Sequence, residues 1–410
     1  MNASSKLRTC TVLLVVATSA SSGAARAAGF PPAPATAPDV SVEVIATGLH
    51  DPRGLAFGPG NELYVSEAGT TVGAFVPPPP PAPNEPPTRV RCEVYWPVGP
   101  KSPGYTGRVS RIDKRGQAHV VAEGMPSSAA NRLIGGDRLG PSGVSFRGRR
   151  TYVMIGGGGC SQGHPSEPNG LYEVFRDGSF VPRVDLGALL RSANDGKSPL
   201  DGDFEPDGTW FNLVRAFGAF YSTEPNHGLL VRMDDDGSTR VVADLLSTVR
   251  SQDGDGDYTY SALVRRGGYF YVGTLGRIDQ DFEGSIYRVA KDGSQVTRVA
   301  TGLHGVLGVA FDTGGRMYAL ETTASGVAPP LSDPGAGRLV RVESDGNLTP
   351  LVTGLAFPTA LVAGRDGAFY ISNCGYHCDD QSTGTSLEAG QVLRVSIRGV
   401  KADAASGARE

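Results

Sequence analysis

The chain of 410 residues lacks a segment able to cross a membrane. Its N-terminal apolar run, Val12–Ala17, is far shorter than the roughly 20 residues a spanning helix needs. It also lacks a dominant charge, with 38 Lys and Arg against 42 Asp and Glu, which argues against a nucleic-acid partner. No GxSxG nucleophile elbow occurs. The glycine run Ile155–Gly159 follows a strand without opening a helix, so it is not a dinucleotide loop. The six histidines form no HxxxH or HxH pair. Long amphipathic helices are not evident; only Val184–Ala193 is expected to make a helical turn.

Residues 1–27 have the form of a secretory signal, with Lys6 and Arg8 before the apolar run and Ala25-Arg26-Ala27 as a small-x-small cleavage site. No lipoprotein-type cysteine follows, so a secreted or periplasmic, unanchored and monomeric protein is expected. Residues 28–40 read as a Pro- and Ala-rich spacer, and residues 399–410 as a disordered tail.

What the chain has is glycine, 57 of them, and a repeat. GRVSRI (107–112), GLYEVF (170–175), GLLVRM (228–233), GSIYRV (284–289), GRLVRV (337–342) and GQVLRV (390–395) begin 63, 58, 56, 53 and 53 residues apart. The middle four are followed by RDG, DDDG, KDG or ESDG and a second β-rich run. Then come an apolar strand such as GLAF or GVAF and an aromatic-centred one such as LYVSE, TYVMI or FYISN. Four short strands at such a period predict an all-β, six-bladed β-propeller over residues 41–398. The chain starts and ends in mid-unit. Val42–Ala46 is therefore expected to lie beside Gln391–Ser396 and close the ring, leaving no open sheet edge.

Once Cys10 leaves with the signal, four cysteines remain: Cys92, Cys160, Cys374 and Cys378. An even count in an exported chain favours disulfides. Each falls just after the second strand of blade 1, 2 or 6, in one sector of the ring. The simplest pairing is Cys374–Cys378 and Cys92–Cys160, with two other connectivities open. A metal site using these thiols with His164 and His377 is the alternative, but only one close pair exists and its spacing is CxxxC.

Loops entering the innermost strands and loops leaving the second strands open on one face. The entering loops carry His50, Asp51 and Arg53, then Asp137 and Arg138, then Asp201, Asp203, Glu205 and Asp207, then Asp253, Asp255 and Asp257, then His304. The leaving loops begin with Glu67, Glu224, Glu321 and Asn373. His50, Asp51, Arg53, Asp137, Arg138, Glu205, His304 and Glu321 are the ligand-binding candidates; turn chemistry is the competing role for any single acid. Asp137, Asp203 and Asp257 are the metal candidates, since carboxylates from different blades point towards one axis. Counted from Asp253, DGDGDY places Tyr258 and Val264 where a calcium loop needs Gly and a bidentate Glu, so an acidic solvated turn is the preferred reading. The Thr70–Pro103 stretch, with Pro77–Pro81, is a proline-rich insertion that serves as a lid or as exposed decoration.

The stretch ATGLHDPRGLAFGPGNELYVSEAG (46–69) resembles the ScyD/ScyE family of exported propellers. GPSGVSF, EPNHGLLVRMDDDGSTRVVADL and EGSIYRVAKDGSQVTRVATGLHGVLGVAFDTGGRMYALE extend the likeness over nearly the whole mature chain, and the repeats are NHL-like. The resemblance implies the fold and assigns no catalytic set. The chain departs from it at Glu205-Pro206-Asp207, where Asn-Pro-Tyr is expected.

Three functions compete. The first is a binding or scaffold module for a small molecule, glycan or protein. The second is a Ca²⁺-assisted lactonase or esterase, drawing on Glu67, Asp137, Asp203, Asp257 and Glu321. The third is a quinone-dependent sugar dehydrogenase, for which only Arg53, Arg138 and His304 supply a cationic mouth. It ranks last.

Overall fold

The computed structural model describes residues 33–77, 98–134, 136–192, 205–253, 259–276, 283–323, 335–376 and 390–404. Six antiparallel sheets form a six-bladed β-propeller. From the innermost strand outwards, blade 1 holds Pro52–Phe57, Leu63–Glu67, Ser102–Ile112 and Ala118–Ala129. Blade 2 holds Pro141–Arg147, Arg150–Ile155, Gly170–Val174 and Phe180–Asp185, and blade 3 Phe211–Ala216, Ala219–Glu224, Leu229–Met233 and Thr239–Asp244. Blade 4 holds Tyr260–Arg266, Tyr269–Thr274, Glu283–Ala290 and Val296–His304. Blade 5 holds Val306–Phe311, Met317–Glu321, Gly337–Val342 and Leu348–Leu355. Blade 6 takes Ala360–Ala363, Phe369–Asn373 and Gly390–Ile397 from the C-terminal part of the chain and Val40–Leu49 from the N-terminal part. Val42 faces Val395 and Ala46 faces Val392, so the two half-units join as the repeat requires.

The described parts of both flanking segments pair with the blades. Within the expected spacer, Ala35–Thr36 pairs with Thr353 and Val352 as a fifth strand of blade 5. Within the expected disordered tail, Lys401–Asp403 forms a strap between blades 6 and 5. Ala402 N donates to Gly367 O (2.9 Å), Thr313 N to Lys401 O (2.8 Å) and Asp403 N to Phe311 O (2.7 Å). Unpaired backbone groups on the blade edges capture polar, proline-rich sequence as readily as apolar sequence.

Two helices, Leu186–Ser192 and Leu245–Asp253, follow the outer strands of blades 2 and 3. The first lies within the expected helical turn, although Val184 and Asp185 stay in the strand. The second was not foreseen. Each begins after an Asp whose carboxylate accepts a backbone N–H three residues on: Ala188 to Asp185 and Ser247 to Asp244, both 2.8 Å. That is the N-cap interaction. Leu186, Leu190, Leu245, Leu246 and Val249 then bury against the next blade.

The core lies between blades, in six apolar seams. One aromatic pair crosses each: Phe57–Tyr370, Tyr64–Phe146, Tyr152–Phe220, Tyr221–Phe270, Tyr271–Phe311 and Tyr318–Phe369, with ring centroids 4.5–5.0 Å apart. Every pair uses an aromatic of a second strand, which explains the recurring LYV and FYV. The polar turns between third and outer strands dock on the neighbouring blade's outer strand. Gly293 (φ +78°) sits where a Cβ would overlap Val242 O, at a bulge in that strand.

Phe270, fully buried between Tyr221 and Phe217, tests the seam. Phe270→Ala is expected to lose about 3–5 kcal/mol of stability, read as a lowered denaturant midpoint with the β-rich circular dichroism retained.

Candidate functional site

The acids that end the second strands hold the architecture. Glu67 accepts the backbone N–H of His50 (2.6 Å), Glu224 that of Thr209 (2.9 Å), Glu321 that of His304 (2.7 Å) and Asn373 that of Ala356 (2.9 Å). In each case the donor belongs to the loop entering the innermost strand of the same blade. The cross-strand neighbour completes the pin. Arg108 faces Glu67 and Arg338 faces Glu321, and each guanidinium binds its carboxylate, Arg108 Nε at 2.9 Å and Arg338 Nη2 at 3.0 Å. Ser110 Oγ adds a 2.5 Å bond to Glu67. In blade 3 an apolar Leu229 stands opposite Glu224, and His227 serves instead through its backbone N–H (2.5 Å) and Nδ1 (2.7 Å). All three glutamates are fully buried. Glu67 and Glu321, expected to supply ligands, are therefore occupied. His304, at the end of blade 4's outer strand, stands beside Glu321 of blade 5, its Nδ1 3.8 Å from the carboxylate and without a hydrogen bond among the described residues.

A second ring runs around the top of the channel. The second position of each innermost strand, or the residue just before it, is Arg53, Ser142, Asn212, Ser261, Leu307 and Thr359 in blade order. Ser142 Oγ donates to Trp210 O (2.7 Å), Asn212 Nδ2 to Ser261 O, Ser261 Oγ to Val306 O (2.8 Å) and Thr359 Oγ1 to Pro52 O (2.6 Å). Arg53 Nη2 donates to Arg138 O (2.6 Å). The bonds from Ser142, Asn212, Ser261 and Thr359 each tie one blade to the next, that from Arg53 reaches Arg138–Leu139, which pairs with the outer strand of blade 1, and Leu307 makes none.

Arg53 is the one charge in this ring and the centre of a polar cluster from blades 6, 1 and 2. Its Nη2 lies 3.3 Å from Asp137 Oδ1, and its guanidinium packs over the Tyr376 ring at 4.8 Å. Arg138 binds Asp51 (2.8 Å) and, through Nε, Thr71 O (2.6 Å). Burial, and then the neighbouring Asp137 carboxylate, push the Tyr376 hydroxyl well above its ordinary value despite Arg53. It stays protonated and donates to Asp137. Two groups keep unused capacity: the Asp137 side chain is 30% exposed, and Arg53 Nε is buried without a partner among the described residues.

Glu205 lies at the edge of this cluster, ion-paired with Lys101 at 2.9 Å, both almost fully buried. Gln162 Nε2 approaches Glu205 Oε2 at 3.4 Å and is itself held by Ser128. Burial raises the Glu205 carboxyl above its ordinary value, with Glu224 and Asp137 adding repulsion and Lys101 opposing. Two residues on, the buried Asp207 accepts Ser161 N (2.7 Å) and pairs with Arg191. The Glu205-Pro206-Asp207 departure thus ties the blade 1 insertion and the blade 2 helix to the start of blade 3.

The structure brings Asp51, Arg53, Asp137, Arg138 and Glu205 together; His50 serves through its backbone, and His304 and Glu321 stand apart, where blade 4 passes into blade 5. Asp203 and Asp257 lie outside the described residues. Among the described residues no group of three or more His, Cys, Asp or Glu side chains is arranged to hold a metal. Cys160 and Cys374 are each disulfide-bonded, while Cys92 and Cys378 lie outside the described residues. Sequence reasoning missed Lys101 and Tyr376, which sit in irregular loops, and Gln162, in the short helical turn Cys160–Gln162. It also missed the hydroxyl ring, whose signal was present in the aligned DPRG, GPSG and FPTA.

No family model matches the chain, and no curated protein matches it in sequence. Among solved structures, it is similar to an auxiliary nutrient binding protein from Bacteroides thetaiotaomicron, at 10% identity over 87% of this chain and 76% of that one, with a TM-score of 0.49. It is also similar to virginiamycin B lyase from Staphylococcus aureus, at 11% identity over 87% and 99%, with a TM-score of 0.42. Likeness of this degree assigns no activity.

Two measurements follow from the buried charges. Lys101→Met leaves Glu205 buried and unpaired and is expected to cost about 3–5 kcal/mol, most of it recovered in Lys101→Met/Glu205→Leu; urea unfolding reads both. For Glu224, burial acts upwards, but the His227 charge and hydrogen bonds with the two backbone N–H groups outweigh it and hold the carboxyl at about 2 against an ordinary 4.5. The stability from this lowered value is present above 4.5 and is lost as pH falls through about 2. Glu224→Gln should therefore flatten the fall of Tm across that window.

Proposed function

We propose that the protein is an exported binding module, of ScyD/ScyE type as its sequence resemblance implies. Its mouth over blades 6, 1 and 2 takes a small molecule or glycan rich in hydroxyl groups, free or displayed on a protein. The observation that carries this reading is the pairing of an accessible acceptor, Asp137, with an unsatisfied buried donor, Arg53 Nε, at the top of the channel. A buried polar group without a partner costs about 1–3 kcal/mol, and a water enclosed beneath the ligand that meets Arg53 recovers it. Asp137 is engaged by Arg53 and Tyr376 yet keeps an exposed side, whereas every other carboxylate described around this mouth is buried. Export and the pairing of Cys160 with Cys92 and of Cys374 with Cys378 belong to the same proposal.

A thermal-shift screen of neutral and acidic saccharides on the mature protein tests it. A hit should lose about tenfold in affinity in Asp137→Asn, the scale of a hydrogen bond to a charged acceptor. It should be unaffected by Asp113→Asn in a remote turn. Melting in EDTA and in millimolar calcium separates this reading from the hydrolase. Equal melting temperatures favour the binding module. A calcium-dependent rise that is lost in Asp203→Asn and Asp257→Asn would replace it with the metal-assisted enzyme.

A further inference from the structure

We propose that the face opposite the mouth docks reversibly on the anionic headgroup surface of a lipid bilayer. In each blade the turn between the innermost and second strands lies at the end away from the mouth, so these turns form one ring around the lower opening of the channel. Blade 2 puts Arg147, Arg149 and Arg150 in this ring, blade 4 Arg265 and Arg266, and blade 6 Arg365. Blades 3 and 5 add Arg215 and Arg316. The chain as a whole has a net charge of −4, so the excess of arginine here is local.

The acids of the ring do not offset it. Glu62 is bound by Arg111, Asp312 by Arg316 (2.6 Å) and Asp366 by Arg394 (2.7 Å). Arg147 and Arg215 share the one carboxylate of Asp235, at 2.9 and 3.1 Å, and Arg150 and Arg183 share that of Glu173. A carboxylate between two guanidiniums leaves a net positive charge. Arg149 and Arg365 are exposed and make no ion pair or hydrogen bond among the described residues. The turns further out carry both signs, Arg232 against Asp234 in blade 3 and Lys291 beside Asp292 in blade 4. The excess is therefore concentrated near the axis.

Shape selects the partner. A small anion needs donors converging on one point, and a polymer strand needs a groove. Here the two free guanidiniums stand on blades 2 and 6, with blade 1 between them, and the other arginines follow round the axis. Charges set at one height around an axis match a plane. Exposed aromatic side chains stand at the same end. Phe175 sits beside Arg176 in the turn leaving the third strand of blade 2. Tyr269 sits in the blade 4 turn, with the Arg288 guanidinium 4.9 Å from its ring. Arginine for the phosphates and aromatic rings at headgroup level are the elements of an interfacial contact. Such docking is peripheral, and it leaves the mouth facing away from the bilayer.

Co-sedimentation of the mature protein with phosphatidylcholine vesicles, with and without phosphatidylglycerol, tests this. Binding is expected only to the anionic vesicles and should weaken as salt rises. Arg149→Gln and Arg365→Gln should each weaken it about fivefold, the scale of one arginine at an anionic surface, and the double variant about 25-fold. Both side chains are exposed, so the variants should keep the wild-type Tm. Arg132→Gln, at an exposed arginine of the mouth end, should change nothing. Equal binding to neutral vesicles, or equal binding by wild type and the double variant, overturns the proposal. So does capture by soluble alginate without binding to anionic vesicles. Failure of the saccharide screen at the mouth has no bearing on it.

Discussion

Face-to-face burial between neighbouring blades is the constraint on which the rest of this structure depends. A four-stranded sheet with two apolar faces has no stable existence in water, and here each face is covered by the next blade. The aromatic pair that crosses every seam supplies about 0.5–1.5 kcal/mol beyond its buried area, and its T-shaped or tilted geometry sets how the blades lean. Because the seams are alike, the ring closes only when the sixth is made. That is why Val40–Leu49 and Gly390–Ile397 must come from opposite parts of the chain.

Polar groups then fix what apolar packing leaves free. Apolar seams let sheets slide, whereas the pin from Glu67, Glu224, Glu321 or Asn373 to the entering loop holds the innermost strands of blades 1, 3, 5 and 6 at one height. The side-chain bonds from Ser142, Asn212, Ser261 and Thr359 tie that height to the next blade. Buried carboxylates are costly unless matched by donors, and each of these glutamates has two or more. The mouth therefore inherits a rigid floor, and its departures from the repeat stand out. Arg53 replaces a hydroxyl, Leu307 breaks the ring, and Lys101 reaches from an insertion to Glu205.

Those departures concentrate charge on one side of the mouth. Arg53, Asp137, Asp51 and Arg138 belong to loops entering blades 1 and 2, and Tyr376 to the loop leaving blade 6. Below this mouth the channel is lined by all six innermost strands and reaches Arg365.

The repeat sentence alone determined the fold class, the blade count and the terminal closure. It could do so because a period of four strands with both faces apolar has few ways to bury itself. Sequence also placed Asp51, Arg53, Asp137 and Arg138 on one face, since their loops occupy equivalent positions in the repeat. Only the tertiary structure decided which carboxylates are spoken for. Glu321 and Asp137 look alike in the chain, yet Glu321 lies opposite Arg338 and under the His304 N–H, while Asp137 meets Arg53 and Tyr376 and keeps an open side. The register of one strand against its neighbour, and the reach of irregular loops such as those carrying Lys101 and Tyr376, are properties of three-dimensional contact. A periodic pattern carries no record of them.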